Sequence, residues 1–346
     1  MRQQVWWLIA VLALMSGCSS ERSDVPPRWV DDEVSFVADG LTIYGTYRHR
    51  ADDAKEPAAL LISESGQTDR NGDNAVAGKI GTLSALAAQL SDRGVASLRY
   101  DKVGTGRTGL GPYARRPSDV GSAVYTAGAK AAARFLAGQP RTDPNRMSVY
   151  GHGEGAIHAL MVATDTDADA PKIHALGMLQ PLAGRYLDLV TARVRADMDA
   201  QVRAGRTTPQ QAEQVIAAWT AAVAQARAAG TVPDQLPNGL SAILNPGNVK
   251  AVLEADAIDP LALAARVPAD TSVLLTCSDS DGQASCEAVQ PLAAALGHTK
   301  LTFVRLKGVN HVLKDDPSDN ITNYANTQPL SPQLVAGLND FVGAVP

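Results

Sequence analysis

Residues 146–156 of this 346-residue chain read RMSVYGHGEGA, with glycines at positions 151, 153 and 155. The run RMSVY has the composition of a buried strand and is followed at once by the closely spaced glycines. The apolar residues of 154–163 recur with the spacing of a helix. Glycine tolerates backbone conformations that other residues avoid, so the segment predicts a strand, a sharp turn and a helix.

The same alternation of strands and helices continues on both sides of this segment. An antiparallel hairpin is predicted over residues 33–48, around the turn Asp39-Gly40. Further strands are predicted at 58–63, 95–100, 173–179, 272–277 and 301–306, and further helices at 80–90, 120–136, 287–296 and 332–345. This order predicts an α/β fold with a mainly parallel sheet and helices on both faces.

Residues 185–268 interrupt the alternation. They contain no strand pattern, and alanine-rich stretches at 186–204 and 209–229 predict helices. An insertion of helices late in a parallel sheet predicts a lid. The predicted organisation is a signal peptide at 1–17, a lipidated tether at 18–32, and one folded domain at 33–346 that carries the lid.

The N-terminus has the layout of a secretory signal peptide. Arg2 precedes an apolar run at 5–15, which ends at Ser16-Gly17-Cys18. The cysteine position resembles a bacterial lipobox, which implies lipidation of Cys18, export, and anchoring to the cell membrane. The alternative is an ordinary signal peptide in which the cysteine is a coincidence.

The cysteine content and the net charge limit which disulfides, metal sites and nucleic-acid contacts can be expected. Once Cys18 is set aside, Cys277 and Cys286 remain, and they predict either one disulfide in an oxidising compartment or two buried thiols. No His/Cys cluster has the spacing of metal ligands, so no metal site is expected. The net charge of −5 gives no reason to expect nucleic-acid binding.

Two glycine motifs match the dinucleotide fingerprint by letter. Residues 104–109 read GTGRTG, but Leu110-Gly111-Pro112 favours a loop where the phosphate-binding helix should begin. Residues 151–156 do open a helix, but the following strand ends at Gln180-Pro181 without an acid for the ribose. No cofactor is therefore expected.

Four blocks of sequence carry a resemblance to a known superfamily. They are ISESGQTDRNGDN at 62–74, LRYDKVGTGRT at 98–108, VYGHGEG at 149–155 and KGVNH at 307–311. Together they resemble α/β hydrolases of the branch near dienelactone hydrolases and serine aminopeptidase-like esterases, over residue 33 to the C-terminus. The resemblance implies the α/β-hydrolase fold, with the nucleophile, acid and histidine in that chain order.

The resemblance also implies where the catalytic residues stand. Gly153 occupies the nucleophile position, where the family has serine, and it has no side-chain oxygen. His311, after the last strand, is the implied general base. Asp281 is the implied acid that orients it, with Asp279 as the alternative.

The oxyanion hole shows the second departure from the family. Its backbone donors are implied at Glu154 and at Ser65 or Gly66. The family reads G-S-G-P where this chain has Glu64-Ser65-Gly66-Gln67. A carboxylate at Glu64 opposes the negative charge that such a site should stabilise.

These residues leave open whether the chain is an enzyme. One hypothesis is a protein of carboxylic-ester or amide hydrolase ancestry that acts without the serine, through water activated by His311. The alternative is a non-catalytic, membrane-anchored protein that binds a small acyl or ester ligand in the former pocket. A third hypothesis is that Gly153 is a single-codon variant of an active enzyme, but the second departure from the family, at Glu64, argues against it.

If the chain has hydrolase ancestry, Gly153→Ser is predicted to restore part of the reactivity. Substrate and oligomeric state stay open.

Overall fold

A computed structural model describes residues 29–345 of the chain. The predicted signal peptide, Cys18 and most of the predicted tether lie outside these residues. The first strand begins at Trp29, because Trp29 pairs with Arg50 and Asp32 pairs with Tyr47 in the neighbouring strand. Residues 29–32 therefore belong to the sheet and not to the tether that was predicted to extend to residue 32.

Eight strands form one sheet in the described residues. They are β1 (Trp29–Ala38), β2 (Leu41–Arg50), β3 (Glu56–Ile62), β4 (Ala96–Tyr100), β5 (Thr142–His152), β6 (Ala175–Leu179), β7 (Ser272–Ser278) and β8 (Lys300–Leu306). Their order across the sheet is β1-β2-β4-β3-β5-β6-β7-β8. Strand β2 pairs antiparallel with β1 and with β4, and all other neighbouring strands pair parallel.

Nine α-helices in residues 29–345 surround or cap this sheet. They are α1 (Thr82–Ser91), α2 (Ser122–Ala137), α3 (Gly155–Ala163), α4 (Tyr186–Arg203), α5 (Pro209–Ala229), α6 (Val249–Ala257), α7 (Pro260–Ala264), α8 (Cys286–Ala295) and α9 (Pro332–Ala344). Each helix and strand predicted from the sequence is present, with its ends moved by a few residues. No helix within residues 29–345 is long and apolar enough to cross a membrane.

Two hydrophobic cores cover the two faces of the sheet. Alternate residues of β3 enter different cores, with Leu60 facing the core shared with α2, α3 and α8, and Leu61 facing the core shared with α1 and α9. This is the two-residue period of a strand that is buried on both sides. The predicted α/β class, with a mainly parallel sheet between helices, is confirmed.

Helices α4 to α7 lie between β6 and β7, and α4 to α6 have a hydrophobic core of their own around the buried Trp219. A charged network holds this lid together. Arg227 contacts Asp188 at 2.7 Å and Asp256 at 2.8 Å, and Asp256 also accepts a hydrogen bond from the Leu187 backbone at 3.0 Å. The lid core rests beside the carboxyl ends of the strands, where α/β folds place their sites.

Candidate active site

The turn between β5 and α3 has the geometry of a nucleophile elbow. Gly153 has φ +55°, a left-handed conformation that favours glycine. A Cβ on Gly151 would run into the backbone of Gly155, and a Cβ on Gly155 would lie 2.7 Å from the Ser63 carbonyl oxygen. The flanking glycines therefore allow β5 and α3 to meet closely, and residue 153 stands at the tip of the turn.

The side chain of Glu64 fills the space that a side chain at position 153 would need. A Cβ built on Gly153 would lie 2.7 Å from Glu64 Cγ and 2.8 Å from Glu64 Cδ. Glu64 follows β3, which pairs directly with β5, so the two positions meet although they are 89 residues apart in the chain. The Glu64 carboxylate thus occupies the space beside the turn that a side chain at position 153 would take.

Glu64 also lies against the implied oxyanion donors. Its Oε1 is 3.4 Å from the backbone nitrogen of Glu154, and its Oε2 accepts a hydrogen bond of 2.8 Å from Ser65 Oγ. Gly66 takes a left-handed conformation, φ +65°, in the same loop. The carboxylate therefore lies where the sequence analysis expects the oxyanion hole.

His311 and Asp281 form the dyad that the resemblance implied. His311 Nδ1 lies 2.8 Å from Asp281 Oδ2, and both side chains are buried. Asp281 Oδ1 accepts hydrogen bonds from the backbones of Gln283 and Ala284, at 2.7 and 3.0 Å. The other ring nitrogen of His311, Nε2, lies 3.5 Å from Glu64 Oε1. Asp281 is therefore hydrogen-bonded to His311, whereas Glu64 lies within ion-pair distance of His311 Nε2, which makes no hydrogen bond.

Asp279, the alternative acid, has a different partner. Its Oδ1 accepts a hydrogen bond of 2.8 Å from the backbone nitrogen of Gly308. This contact joins the loop after β7 to the loop after β8, while Asp281, two residues further on, contacts the imidazole.

Two carboxylates around one imidazole favour its charged form. Burial alone would lower the pKa of His311, but Asp281 and Glu64 outweigh it and raise the pKa to about 10. Burial likewise opposes ionisation of Glu64, yet the neighbouring His311 outweighs it and holds the pKa of Glu64 well below its usual range. The raised pKa favours the imidazolium form of His311, and an imidazolium is not a base for the water activation expected from the sequence.

His152, the residue before Gly153, supports the backbone of His311. Its Nε2 lies 2.7 Å from the His311 carbonyl oxygen, and since a carbonyl only accepts, this nitrogen carries the proton. Burial and the charge of His311 lower the pKa of His152 to about 4, so it is neutral at pH 7. It fixes the position of the His311 loop without adding a second charge.

Asp319 is a positioning residue that the sequence analysis did not identify. Its Oδ1 accepts hydrogen bonds from the His311 backbone nitrogen at 2.8 Å and from the Tyr324 hydroxyl at 2.7 Å. Its Oδ2 accepts one of 3.0 Å from the backbone of Gly282, next to Asp281. One carboxylate thus holds the loops of both dyad members. In sequence it is only one aspartate of the turn-like DPSDN, which gives no signal of this role.

The two remaining cysteines are joined. Cys277, in β7, forms a disulfide with Cys286, at the start of α8, and their Cα atoms are 4.9 Å apart. The bond closes the loop that contains Asp281, which ties the acid of the dyad to the sheet.

Loss of this disulfide is expected to destabilise the fold. Replacing both cysteines by serine should lower the free energy of unfolding by about 2–3 kcal/mol, because the unfolded chain loses a short closed loop. Urea denaturation of the two proteins measures this difference. Reductant should destabilise only the natural chain, and equal stability of the two proteins without reductant would contradict the expectation.

The glycine motif at 104–109 forms a loop around Asp101. The backbone nitrogen of Arg107 donates to Asp101 Oδ2 at 2.8 Å, and a short 3₁₀ turn at Gly111–Tyr113 follows. The loop thus lacks the helix N-terminus that a pyrophosphate site needs. Within residues 29–345 no group of three or more His, Cys, Asp or Glu side chains could hold a metal ion.

A narrow cleft separates the elbow from the lid. Ile157, Leu182, Tyr186 and Ile258 line it beside Glu154, and its free volume is about 10 Å³. This is room for about one water molecule.

Lys102 also contacts Glu64. The ammonium group of Lys102 donates a hydrogen bond to the Glu64 backbone carbonyl, and burial lowers the pKa of Lys102.

Comparison with solved structures agrees with this architecture. An α/β hydrolase from Penicillium sp. sh18 aligns with a TM-score of 0.56 at 15% identity, over 91% of this chain and 99% of that one. An esterase from Pyrococcus furiosus aligns with a TM-score of 0.54 at 13% identity, over 91% of each chain. A dienelactone hydrolase-like promiscuous phosphotriesterase from metagenomic libraries gives 0.51 at 12% identity, over 92% and 97%.

No known family's sequence model matches the chain, and no curated protein sequence matches it significantly. The strand order, the helical layers and the structural neighbours agree on one architecture. The chain has the α/β-hydrolase fold.

Proposed function

We propose that the chain is a hydrolase of carboxylic-ester hydrolase ancestry in which Glu64 replaces the elbow serine as the reactive group. The observation that carries the proposal is the position of its carboxylate. Glu64 Oε1 fills the space of a side chain at position 153 and lies 3.5 Å from His311 Nε2. Carboxylates of Asp and Glu are among the side chains that form covalent intermediates in enzymes.

The surrounding residues support a working site. Burying Asp281, His311 and their hydrogen-bond partners costs free energy that an inert surface would not require. Asp281 has both oxygens satisfied, and Asp319 fixes the loops on which Asp281 and His311 stand. The site differs from a serine triad in one member only, because a carboxylate replaces the hydroxyl.

A non-catalytic binding protein is the second candidate. It is favoured by the carboxylate itself, which fills the oxyanion site, and by the small free volume of the cleft beside Glu154. In this case Glu64 and His311 would serve as a fixed ion pair, and no reaction would depend on either.

Hydrolysis of activated esters distinguishes the two candidates. p-Nitrophenyl esters of short acids have a leaving group far less basic than an alkoxide, so they are the most sensitive esters for detecting a slow reaction that depends on Glu64. The mature chain should hydrolyse them slowly, and both Glu64→Gln and His311→Gln should reduce the rate by about 10²-fold or more. A third site variant, Asp281→Asn, should also lower the rate, because Asp281 contacts His311. Asp279→Asn is its matched control, because Asp279 contacts the Gly308 backbone instead. Equal rates for the natural chain and the site variants would favour the binding protein.

We also propose that the chain is exported and held at the cell membrane through a lipid on Cys18. The support is the apolar run at 5–15 that ends in Ser16-Gly17-Cys18. Mass spectrometry of protein extracted from membranes should find a diacylated N-terminal cysteine. An unmodified N-terminus at another residue would exclude this anchor, and Cys18→Ser should move the protein out of the membrane fraction.

A further inference from the structure

Two consecutive residues after β4 hold the loop that carries Glu64. The backbone nitrogen of Arg70 donates to Asp101 Oδ1 at 3.0 Å, and the ammonium of Lys102 donates to the backbone carbonyl of Glu64. Asp101 therefore holds the far end of the loop, and Lys102 holds the end at Glu64. In residues 29–345 no other hydrogen bond reaches the backbone of Glu64.

The glycine motif at 104–109 fixes the backbone of Lys102. The side chain and the backbone nitrogen of Thr105 donate to the Lys102 carbonyl oxygen, at 2.8 and 3.0 Å. Gly106 has φ +45°, and a Cβ on it would run into the Asp101 carboxylate, so glycine is needed for the chain to fold back here. The motif that does not bind a dinucleotide thus places Lys102 beside the Glu64 loop.

The ammonium of Lys102 is buried without an ion-pair partner. The residue is 8% exposed, and no carboxylate of the described chain lies within ion-pair distance of its Nζ, unlike the paired Lys130. Burial lowers the pKa of Lys102, while the charges of Glu154 and Glu64 oppose this and favour the ammonium form. A neutral donor would satisfy the Glu64 carbonyl at a lower desolvation cost, so the charge is best explained by these two carboxylates.

We propose that Lys102 is a positioning residue, which holds the backbone of Glu64 so that its carboxylate lies beside Gly153 and against His311. This inference rests on the proposed function, in which Glu64 is the reactive group. Lys102 would act only through Glu64, by fixing where the side chain of Glu64 begins and by balancing its charge.

The contacts of the Glu64 side chain do not fix its direction by themselves. Its Oε1 lies 3.4 Å from the Glu154 backbone nitrogen and 3.5 Å from His311 Nε2, and both distances are long. The one short contact, 2.8 Å from Ser65 Oγ to Oε2, comes from the next residue of the same loop. If the backbone of Glu64 shifts, Ser65 shifts with it. The placement of the carboxylate against His311 therefore depends on Lys102.

The test compares Lys102→Met, which removes the donor and the charge, with Lys102→Arg, which keeps both. NMR titration of the imidazole measures the pKa of His311 in each folded protein. In Lys102→Met the carboxylate of Glu64 should move away, so the pKa of His311 should fall by about 1 unit or more, toward its value in Glu64→Gln. Loss of a nearby positive charge without movement of Glu64 would raise this pKa instead. The sign therefore separates positioning from a purely electrostatic or structural role.

Hydrolysis of p-nitrophenyl esters is the second measurement. Lys102→Met should lower the rate that depends on Glu64 by up to about 10²-fold, because small displacements of reacting groups have effects of this size. Lys102→Arg should restore most of the rate. Lys130→Met is the matched control, since Lys130 pairs with Asp165 at 2.6 Å outside the site and its loss should change neither measurement.

A crystal structure of the natural chain tests the contact without any variant. Lys102 Nζ is expected at hydrogen-bond distance from the Glu64 carbonyl, and a Lys102 side chain turned elsewhere would overturn the inference. An unchanged or raised pKa of His311 in Lys102→Met would also overturn it. If Lys102→Met does not fold, the crystal structure decides alone. A lowered pKa of His311, with no hydrolysis that depends on Glu64, would support the positioning of Glu64 and overturn the proposed function.

Discussion

The double variant Glu64→Gly/Gly153→Ser is expected to react with a serine-directed fluorophosphonate probe and to hydrolyse short p-nitrophenyl esters. The serine would stand at the elbow, and the space now filled by Glu64 would be free for its hydroxyl. His311, oriented by Asp281, would lie within reach as the general base. Removing Glu64 also takes one of the two carboxylates away from His311, so its pKa falls toward a useful range.

The single variant Gly153→Ser, predicted from sequence to restore part of the reactivity, is expected to react more weakly than the double variant. A Cβ at position 153 would lie 2.7 Å from Glu64 Cγ, so the serine and the present position of Glu64 exclude each other. A displaced Glu64 would still carry its negative charge close to the oxyanion donors. Loss of one oxyanion donor costs about 10²–10³ in rate, and the double variant should exceed the single one by about 10²-fold or more.

The experiment needs a control for whether the two variants are folded. Serine at φ +55° costs about 1–3 kcal/mol, so thermal unfolding must show that both variants are folded at the assay temperature. The natural chain should stay unlabelled, because residue 153 offers no oxygen. Strong labelling of the natural chain at another serine would mean that the elbow is not the nucleophile position.

The sheet and its order of elements could be predicted because they depend on local patterns. Strand 58–63 and helix 80–90 were predicted from residues that are neighbours in the chain, and the structure has β3 and α1 at those places. The spacing of the apolar residues in each segment indicates which of its faces is buried. The pairing of the loops after β7 and β8 also follows from topology, since adjacent parallel strands end at the same edge.

The direction of the Glu64 side chain could not be predicted. From sequence, Glu64 was a carboxylate near the oxyanion site that would repel its charge. That it fills the space above Gly153 depends on the rotamer and on the pairing of β3 with β5, and neither has a local signal. The protonation of His311 follows from the same contact. The role of Asp319 was missed for a similar reason, because its partners lie in two separate loops.

His311 is expected to titrate near pH 10 in the natural chain, well above the usual value near 6.5. Glu64→Gln keeps the size of the side chain and removes its charge, so the pKa of His311 should fall by about 1–3 units. The imidazole signals in NMR spectra recorded across this pH range measure both values. Asp279→Asn is the matched control, since that carboxylate hydrogen-bonds the Gly308 backbone and should leave the titration unchanged.

The pKa shifts of these groups on folding also determine how the free energy of unfolding depends on pH. The pKa of His311 is raised on folding, so its contribution is fully present below about pH 6.5 and is lost as the pH rises toward about 10. The pKa values of Glu64 and Asp281 are lowered on folding, so their contributions are present above their usual values of 4.5 and 3.8 and are lost in acid. From these three groups, the free energy of unfolding should be greatest between about pH 4.5 and 6.5. In Glu64→Gln the alkaline decline should begin and end at lower pH. An alkaline decline that is identical in both proteins would mean that Glu64 and His311 do not interact in solution, which would remove the basis for a reactive carboxylate.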